Sequence, residues 1–479
     1  GDNILRAVAE ACTGKFDGDA LSFPRMEARD KVTGAAKYTF DIRHDGQLEG
    51  LVLRSRAAHA RIADIDFSAA LAIPGVKAVV SLLGEDKTVR YAGEQIAAVA
   101  AIDRKTALLA LDAIRITSEK LPSAVGLDAA RKPDSAVVFS GRRKNPGNVS
   151  EGAGGPAPWK GNIRGPTNAF SHKAKKARGW IAEARTARDP LLVEGTFKTG
   201  AQSHTCLEPH AAVARFDGEQ LTVHVSTQAV FHLKTLIAKR FKLNVENIRV
   251  IAEHVGGGFG SKASLGNETV AAVELARAAK APVRVAFDRH EELSVTGYRP
   301  GAEVNLSLLA GRGGNLKALS LDAYADTGAA VNSTIAGLAR LIYPAEAKHL
   351  ADFDVVSNLP PGAAFRGPGG PPMAFAVEQA VDEAALRLKI DPIALRKRWD
   401  PDPNRQRLYD WAEKLDVWRA AQEPQTGRYR RGVGVAMGYW LYIWQPKSKV
   451  ELAIENHRVV ASVAIQDIGT GSRTVIANT

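Results

Sequence analysis

A stretch of four glycines within five residues, at positions 256–260, constrains this chain more than any other part of the sequence. It follows a β-like apolar run at 248–252 and precedes a helix-like run at 268–279. Glycine backbone reaches positive φ without steric cost and lets a ligand approach the main chain closely. A helix N-terminus adds free N–H groups and the positive end of a dipole. The pattern predicts an anion-binding loop, or alternatively a strand-to-helix turn that holds no ligand.

The common nucleotide-binding loops do not fit this stretch. The pattern G-x-x-x-x-G-K-[ST] fails because Ser261 stands at its second glycine and Ala263 follows Lys262. The pattern G-x-G-x-x-G meets Ser261 when it starts at Gly256, and Ala263 when it starts at Gly258. The expected ligand is therefore an anion other than a conventionally bound nucleotide.

Composition narrows the classes of protein further. The 479 residues are enough for two or three domains with complete cores, and no run approaches the ~20 apolar residues that a membrane span requires. Two cysteines, Cys12 and Cys206, are too few for an iron–sulfur cluster, a zinc site or a disulfide framework. The net charge of +12 makes a nucleic-acid partner worth considering. Much of the excess lies in or beside a Gly/Pro-rich stretch at 141–166 with few aromatics, which we interpret as a solvated linker or a docking surface for an acidic protein.

The order of strand-like and helix-like runs predicts an α+β fold rather than a doubly wound sheet. Local patterns include a short helix at 4–12, a strand at 36–40, and a strand followed by a glycine turn at 465–471. The predicted organisation is an N-terminal extension at 1–21, an α+β domain at 22–136, a Gly/Pro-rich basic linker at 137–185 and a strand-rich domain at 186–479.

Two further stretches carry candidate functional groups. Residues 204–210 place His204, Glu208 and His210 within seven positions. A metal site is one interpretation, but no third-ligand pattern accompanies them, and we favour a structural role. Residues 358–373 form a Pro/Gly-rich loop whose one charged residue is Arg366. A rigid loop that offers one guanidinium suits an oxyanion or oxo group; the alternative is an arginine in solvent.

Three irregular loops, at 256–262, 364–371 and 467–471, resemble three cofactor loops of the molybdenum-binding subunit of the xanthine dehydrogenase/aldehyde oxidase family, both in their order along the chain and in their residues. Other motifs of that family are matched at 30–38, 55–62, 208–210, 226–228 and 431–436. The resemblance runs from about residue 22 to the end, and the sequence motifs are most similar to those of bacterial periplasmic aldehyde oxidoreductases. It implies a "hammerhead" α/β domain at 22–136, the first part of a molybdopterin-binding region at 186–479, and a location in the bacterial periplasm or cytoplasm.

The resemblance also implies roles for individual residues. Gln228 matches the glutamine that hydrogen-bonds a molybdenum oxo ligand, Phe259 lies in the loop against the metal, and Arg366 matches the arginine near the oxo side; these three are the expected catalytic residues. The metal is held through the pterin, with no direct protein ligand. The implied cofactor is molybdopterin, either plain or as the cytosine dinucleotide. The implied cofactor-binding residues are Gln228, Gly257, Gly258, Phe259, Gly260, Arg366, Ile468, Gly469 and Thr470.

The implied reaction is an oxidative hydroxylation that uses water as the oxygen source and passes electrons to separate 2Fe–2S and FAD subunits. In the family a glutamate acts as the base, and it lies well beyond the 467–471 loop. This sequence ends eight residues after Gly471. We therefore expect the base in the C-terminal half of the family subunit, which is either a second polypeptide, a further region of the same protein or a cleavage product.

Three positions bear on the substrate. Ala263 and Pro368 stand where purine-oxidising members have a glutamate and an aromatic residue, and Gly367 stands where the carbon monoxide branch has a cysteine. Without the carboxylate and the stacking face, a purine would leave polar groups unpaired. Aldehydes, with aromatic ones foremost, are the expected substrates, and N-heterocycles or purines are the alternative. A basic nucleic-acid-binding or scaffold protein without cofactor is the hypothesis from a different class.

Overall fold

A computed structural model describes residues 25–139, 157–167, 170–331, 333–420, 428–441 and 448–479. Its mixture of helices and strands confirms the α+β fold class, whereas the predicted helix at 4–12 lies outside the described residues. The strands are β1 (Leu48–Arg54), β2 (Ala60–Asp66), β3 (Val76–Ser81), β4 (Thr88–Val89), β5 (Gln95–Ala101), β6 (Arg115–Lys120), β7 (Trp159–Lys160), β8 (Ile163–Thr167), β9 (Leu192–Thr199), β10 (Gln202–Ser203), β11 (Ala211–Asp217), β12 (Gln220–Val225), β13 (Ile248–Ile251), β14 (Val283–Ala286), β15 (Tyr298–Arg299), β16 (Ala302–Ala310), β17 (Leu316–Gly328), β18 (Ala347–Val356), β19 (Val450–Glu455) and β20 (Arg458–Val463).

The helices are α1 (Ala28–Thr33), α2 (Ser68–Leu71), α3 (Arg104–Ala113), α4 (Leu127–Ala130), α5 (Ala174–Thr186), α6 (Val230–Phe241), α7 (Asn267–Ala279), α8 (Arg289–Ser294), α9 (Gly370–Leu388), α10 (Pro392–Trp399), α11 (Pro403–Ala412), α12 (Asp416–Ala420) and α13 (Ser472–Asn478). Short 3-10 segments form at Thr39–Asp41, Val245–Asn247 and Ala336–Leu341. In the part of the chain that is described, no helix is long and apolar enough to cross a membrane.

The chain divides into two compact units, each made of segments that are distant in sequence. The first contains the described residues of Gly1–Leu121, His204–Gly297 and Ile443–Thr479, and the second those of Pro122–Ser203 and Tyr298–Tyr442. The described part of the predicted linker at 137–185 contains β7, β8 and most of α5. The predicted domain boundaries stay predictions.

The first unit is built on a seven-stranded sheet with the order β13-β12-β11-β14-β1-β5-β3. Helix α7 packs against it, with Ala271, Val273 and Leu275 fully buried. Strand β12 pairs with β13 in parallel, in a register that places His224 opposite Ile251. Because parallel strands end at the same edge of a sheet, the residues that follow β12 and those that follow β13 emerge side by side. Gln228 follows the first strand, and the glycine stretch follows the second.

The second unit is built on a six-stranded sheet with the order β7-β8-β18-β17-β16-β9. Helix α9 packs across β9 and β16, and α5 packs on β16, β17 and β18. Successive strand residues point to opposite faces, and Leu308 belongs to the core under α9 whereas Leu309 belongs to the core under α5. The two helices therefore cover opposite faces of the sheet.

Two predicted strands are wrong. Residues 36–38 are irregular and lead into the 3-10 segment Thr39–Asp41, where the Thr39 N–H donates to the Glu208 carboxylate. Residues 465–467 are irregular, and the Asp467 carboxylate accepts from the N–H groups of Gly469 and Gly471. The Glu208 carboxylate takes the Thr39 donor that a strand would have given to a neighbouring strand, and the Asp467 carboxylate folds the residues that follow it into a turn.

Two buried side chains of β18 hold both ends of the 3-10 segment Ala336–Leu341. The Asp352 carboxylate accepts from the N–H groups of residues 335, 336 and 337. The Lys348 ammonium donates to the carbonyls of Ala339, at 2.8 Å, and Ile342, at 2.6 Å. Burial lowers the pKa of Lys348 from 10.5 to about 8. A neutral amine still has two hydrogens for these two carbonyls, so this geometry tolerates the loss of a proton.

We expect the stability of the second unit to increase as pH rises through the window set by Lys348. Between pH 8 and 10.5 the folded protein holds fewer protons on this side chain than the unfolded chain does, so the free energy of unfolding rises with pH. The gain is on the order of 1–3 kcal/mol, since one pKa unit corresponds to about 1.4 kcal/mol. Urea unfolding at pH 7 and pH 10 should show this increment in the wild type but not in Lys348→Met. An equal increment in both proteins would contradict the prediction, and the exposed Lys175→Met is the control.

Candidate functional site

The glycine stretch and Gln228 meet at the edge of the sheet where β12 and β13 end. The Gln228 side-chain oxygen Oε1 accepts from the N–H groups of Gly260, at 2.8 Å, and Lys262, at 3.3 Å. The backbone N–H of Gln228 donates to the Lys262 carbonyl at 2.9 Å. Among the described residues no acceptor lies within hydrogen-bond distance of Gln228 Nε2. The amide is thus oriented by the loop and keeps its NH₂ group for another partner.

The glycines of this loop are required by close approach and by backbone conformation. A Cβ on Gly256 would lie 2.5 Å from Cβ of Glu208, and one on Gly258 would lie 2.5 Å from Oε1 of Gln228. Phe259 adopts the left-handed region at φ 51°, which is costly for a residue with a bulky side chain. Its ring is nevertheless 40% exposed. Local packing does not bury this side chain, so the strained backbone serves to present it.

The carboxylate of Glu208 fixes the start of the loop. Its Oε2 accepts from the Gly256 N–H at 2.7 Å and from the Ser226 hydroxyl at 2.8 Å, and its Oε1 accepts from the Thr39 N–H at 3.2 Å. Ser226 lies between β12 and Gln228, so one buried side chain ties both strand ends together. The favoured structural role for Glu208 agrees with these contacts.

Lys262 fixes the end of the same loop from inside the protein. Its side chain is 0% exposed, and its ammonium donates to the Glu208 carbonyl at 2.7 Å and lies 3.5 Å from Glu208 Oε2. A buried ammonium needs such partners because desolvation of an unpaired charge is expensive. The loop is therefore held at Gly256 and at Lys262 by a single carboxylate-bearing residue.

A second buried pair lies beside this one. His210 Nδ1 is 2.8 Å from Glu292 Oε2, and His210 Nε2 is 3.4 Å from the Ser261 carbonyl. Burial alone would raise the pKa of Glu292, but the hydrogen bond and charge of His210 bring it below its usual value.

Burial raises the pKa of the Cys206 thiol, which does not favour a nucleophilic role. No group of three His, Cys, Asp or Glu side chains suited to a metal ion occurs among the described residues.

The turn at 467–471 belongs to the same unit as the glycine loop. Asp467 shapes it by accepting from the N–H groups of Gly469, at 2.9 Å, and Gly471, at 3.2 Å. Arg473 joins it to the end of β13 by donating to the Glu253 carbonyl. Ile468 is half-buried, whereas Gly469 and Thr470 are exposed. This unit therefore brings together Gln228, the glycine loop and the predicted third loop.

Arg366 belongs to the second unit and lies in the irregular loop that precedes α9. It is exposed, and within the described residues its guanidinium has no hydrogen-bond or ion-pair partner. The backbone at this point is fixed by Arg299, which donates to the carbonyls of Arg366, at 3.0 Å, and Gly367, at 3.2 Å. Sequence patterns did not identify Arg299. Any residue has a backbone carbonyl, so the partner's residue type does not reveal a hydrogen bond of this kind.

The Glu208–Lys262 pair can be tested through stability. Glu208→Gln should lower the free energy of unfolding by about 3–5 kcal/mol, because it leaves a buried ammonium without its carboxylate. Lys262→Met should cost less, about 1–3 kcal/mol, because the carboxylate keeps its N–H and O–H donors. The double variant should lose less than the sum, since the two side chains interact directly. Urea unfolding checks all three, with the exposed Glu246→Gln as control; additive losses would contradict the coupling.

Comparisons with known proteins give the family. Residues 164–399 match the model of the molybdopterin cofactor-binding domain, and residues 33–84 match that of the aldehyde oxidase and xanthine dehydrogenase a/b hammerhead domain. The aldehyde oxidoreductase molybdenum-binding subunit PaoC of Escherichia coli K12 is 30% identical over 478 residues, which are 95% of this chain and 62% of PaoC. The nicotinate dehydrogenase large molybdopterin subunit of Eubacterium barkeri is 30% identical over 398 residues, 78% of this chain and 87% of that subunit.

Solved structures agree with these relatives. Quinoline 2-oxidoreductase from Pseudomonas putida 86 superimposes with a TM-score of 0.69 at 27% identity, over 80% of this chain and 50% of that one. The aligned part of PaoC, 62% of its length, shows that this chain spans less than two thirds of that relative. On the two domain models and the relatives together, the chain belongs to the molybdopterin-binding subunits of the xanthine dehydrogenase/aldehyde oxidase family.

Proposed function

We propose that this chain is the cofactor-binding part of a molybdenum hydroxylase that oxidises aldehydes to carboxylic acids. The observation that carries the proposal is the Gln228 amide. Two loop N–H groups occupy its oxygen, which leaves a fixed NH₂ donor of the kind that an oxo ligand requires. An ordinary strand-to-helix turn would have no need to orient a free amide donor in this way.

The residues of the first unit fit a molybdopterin. When bound, this cofactor would supply the redox centre that accepts the two electrons of the oxidation. Gln228 would donate to an oxo group, and the exposed ring of Phe259 would limit the access of water to it. Gly257 and Gly260, both at positive φ, would let the main chain approach the pterin, and the turn at Gly469–Thr470 would hold its phosphate end.

Arg366 is the proposed second contact to the oxo side. Its exposed guanidinium is free of carboxylate partners within the described part of the chain, and it stands on a loop whose backbone is tied by Arg299. A fixed, permanently charged donor suits the negative charge that develops on oxygen during hydroxylation. Its proposed role is electrostatic, and it holds no proton that must be moved.

The preference for aldehydes rests on Ala263 and Pro368. Neither side chain can accept or donate a hydrogen bond, and neither offers an aromatic face. A polar heterocycle that binds next to such side chains would lose hydrogen bonds that it makes with water. An aldehyde has one carbonyl that needs a hydrogen-bond donor. The relationship to PaoC supports aldehydes. Oxidation of an N-heterocycle is the second candidate, favoured by the similarity to the nicotinate and quinoline enzymes.

The proposed enzyme is heteromeric. The whole sequence holds two cysteines, so 2Fe–2S clusters and FAD would be carried by partner subunits. The relative described as a large molybdopterin subunit is similar in length to this chain, since 398 aligned residues make up 87% of it. That relative is described as a large subunit, which supports the proposal of further subunits. The cofactor is proposed as molybdopterin, plain or as its cytosine dinucleotide.

The site assignment predicts a loss of turnover on removal of the Gln228 amide. In the purified complex, Gln228→Ala should lower kcat by about 10²-fold, since one preorganised donor at a developing charge contributes on that scale. Molybdenum content, measured by elemental analysis, should stay within twofold of wild type, because most of the proposed pterin contacts would come from backbone groups. Gln220→Ala, at the exposed start of β12, is the control. Full activity in Gln228→Ala would refute the assignment, and a wild-type complex that never contains molybdenum would instead favour a cofactor-free scaffold.

The substrate assignment predicts a ranking of specificity constants. With the complete complex and an artificial electron acceptor, kcat/KM for benzaldehyde should exceed the values for nicotinate and xanthine by more than about 10²-fold, because unpaired polar groups in a bound heterocycle cost that much. A higher value for nicotinate would replace the aldehyde proposal by the N-heterocycle one and leave the molybdenum site intact.

A further inference from the structure

His210 and Glu292 form a buried pair in contact with the glycine loop. His210 is 3% exposed and Glu292 is fully buried. The Glu292 Oε2 atom accepts from the His210 backbone N–H at 2.9 Å and lies 2.8 Å from the ring nitrogen Nδ1. The other ring nitrogen, Nε2, lies 3.4 Å from the carbonyl oxygen of Ser261. Both ring nitrogens face oxygen acceptors, so both hydrogen bonds form only when each nitrogen carries a hydrogen, as in an imidazolium ring.

The charges of the surrounding cluster balance only with that doubly protonated ring. The ammonium of the fully buried Lys262 lies 3.5 Å from Glu208 Oε2. Burial raises the pKa of Glu292, but the hydrogen bond and charge of His210 and the charge of Lys262 bring it below its usual value. Two buried carboxylates thus face two buried cations when His210 is charged. A neutral ring would leave a net negative charge away from water, which is costly.

The segments that carry the pair also hold Cys206 and Arg289. Burial raises the pKa of the Cys206 thiol, which favours its uncharged form. Arg289, on α8 with Glu292, is exposed and donates to the carbonyls of Cys206, at 2.6 Å, and Leu207, at 3.0 Å. Water screens the charge of an exposed guanidinium. Neither group therefore replaces the positive charge of the imidazolium ring.

One peptide group, which we call the Ser261 peptide group, connects the pair to the Gln228 amide. It consists of the Ser261 carbonyl and the Lys262 N–H. Its oxygen faces His210 Nε2, and its N–H donates to Gln228 Oε1 at 3.3 Å. The next carbonyl, that of Lys262, accepts from the Gln228 backbone N–H, at 2.9 Å, and from the Thr227 hydroxyl, at 3.0 Å. Hydrogen bonds in series polarise one another, so a charged donor at the Ser261 oxygen strengthens the N–H bond to Gln228.

We propose that His210 is a positioning residue, which orients and polarises the Gln228 amide through the Ser261 peptide group. Glu292 keeps the ring doubly protonated for this role. The inference rests on the proposed function, in which the Gln228 NH₂ group donates to an oxo ligand. A polarised amide is a stronger donor, and the loop fixes its direction before a ligand binds. All of the residues involved belong to the first unit.

Replacement of His210 tests the effect on turnover in the complete complex. His210→Leu has no donor for the Ser261 carbonyl, whereas His210→Gln keeps a neutral one. We expect His210→Leu to lower kcat about 5- to 10-fold with KM within about threefold, because a group that acts through another donor contributes less than the ~10²-fold of the donor itself. His210→Gln should recover part of that loss. In a Gln228→Ala background His210→Leu should cost less than about twofold, since residues that act through one group are not additive.

The protonation of the ring is measured by nitrogen NMR on the full chain, isotope-labelled at its histidines. The His210 signals are identified by their absence from His210→Gln. At neutral pH the wild-type spectrum should show hydrogen on both ring nitrogens. Glu292→Gln keeps an acceptor oxygen for Nδ1 but removes the counter-charge, so Nε2 should lose its hydrogen. In the complex this variant should lower kcat as much as His210→Leu does, about 5- to 10-fold.

His349→Gln on β18 is the matched control. It removes another buried histidine that faces a carboxylate, with Nε2 3.1 Å from Asp322 Oδ1, in the second unit. It should leave kcat unchanged, both alone and combined with Gln228→Ala. If His210→Leu is too unstable to purify, Glu292→Gln takes its place in the comparison with Gln228→Ala.

The outcomes separate this inference from its premise. Additive losses in His210→Leu and Gln228→Ala would show that the histidine only stabilises the fold, and would overturn the inference. A neutral His210 ring in the wild-type spectrum would also overturn it. Unchanged kcat in His210→Leu and Glu292→Gln, alongside a loss in Gln228→Ala, would overturn it and leave the proposed function standing. Full activity in Gln228→Ala, or a wild-type complex without molybdenum, would instead overturn the proposed function.

Discussion

The carboxylate of Glu208 is the interaction on which the candidate site depends. It gathers donors from three separate segments, Thr39, Ser226 and Gly256, and it is the countercharge of the buried Lys262. None of these three contacts lies in a strand, so no β-ladder holds the segments there. A single ionised side chain replaces the ladder because charge-assisted hydrogen bonds are stronger than neutral ones. The strained backbone at Phe259 can persist because both ends of its loop are fixed by this residue.

The parallel pairing of β12 and β13 then decides what the fixed loop faces. The pair delivers Gln228 and the glycine stretch to one sheet edge, and the Gln228 oxygen closes the loop from that side. The sheet topology therefore places the Gln228 side chain, and the two loop N–H groups orient its amide. A flexible side chain positioned in this way loses little entropy on meeting a ligand, which is the usual advantage of preorganisation.

Sequence reasoning identified this site unevenly, and the reasons are physical. The glycine stretch, the apolar strands and the α+β class leave strong local patterns, and the structure agrees with them. The role of Gln228 came from the resemblance to a family, since a glutamine after a strand has no distinctive local pattern. Arg299 was missed because its partners are carbonyls and could belong to any residue. The segment at 36–40 was misread as a strand because the carboxylate of Glu208, far away in sequence, takes the Thr39 donor, and the one at 465–467 because the Asp467 carboxylate folds the residues after it into a turn.

The described site also has a consistent polarity. In the first unit the Nε2 amide of Gln228 is an uncommitted donor among the described residues, whereas the carboxylates of Glu208 and Asp467 already accept from protein donors. A free donor of this kind favours an oxygen-rich, negatively charged ligand over a bare metal ion, which binds to acceptors. The two carboxylates that shape these loops therefore serve the backbone, and the donor that remains for a ligand is the Gln228 amide.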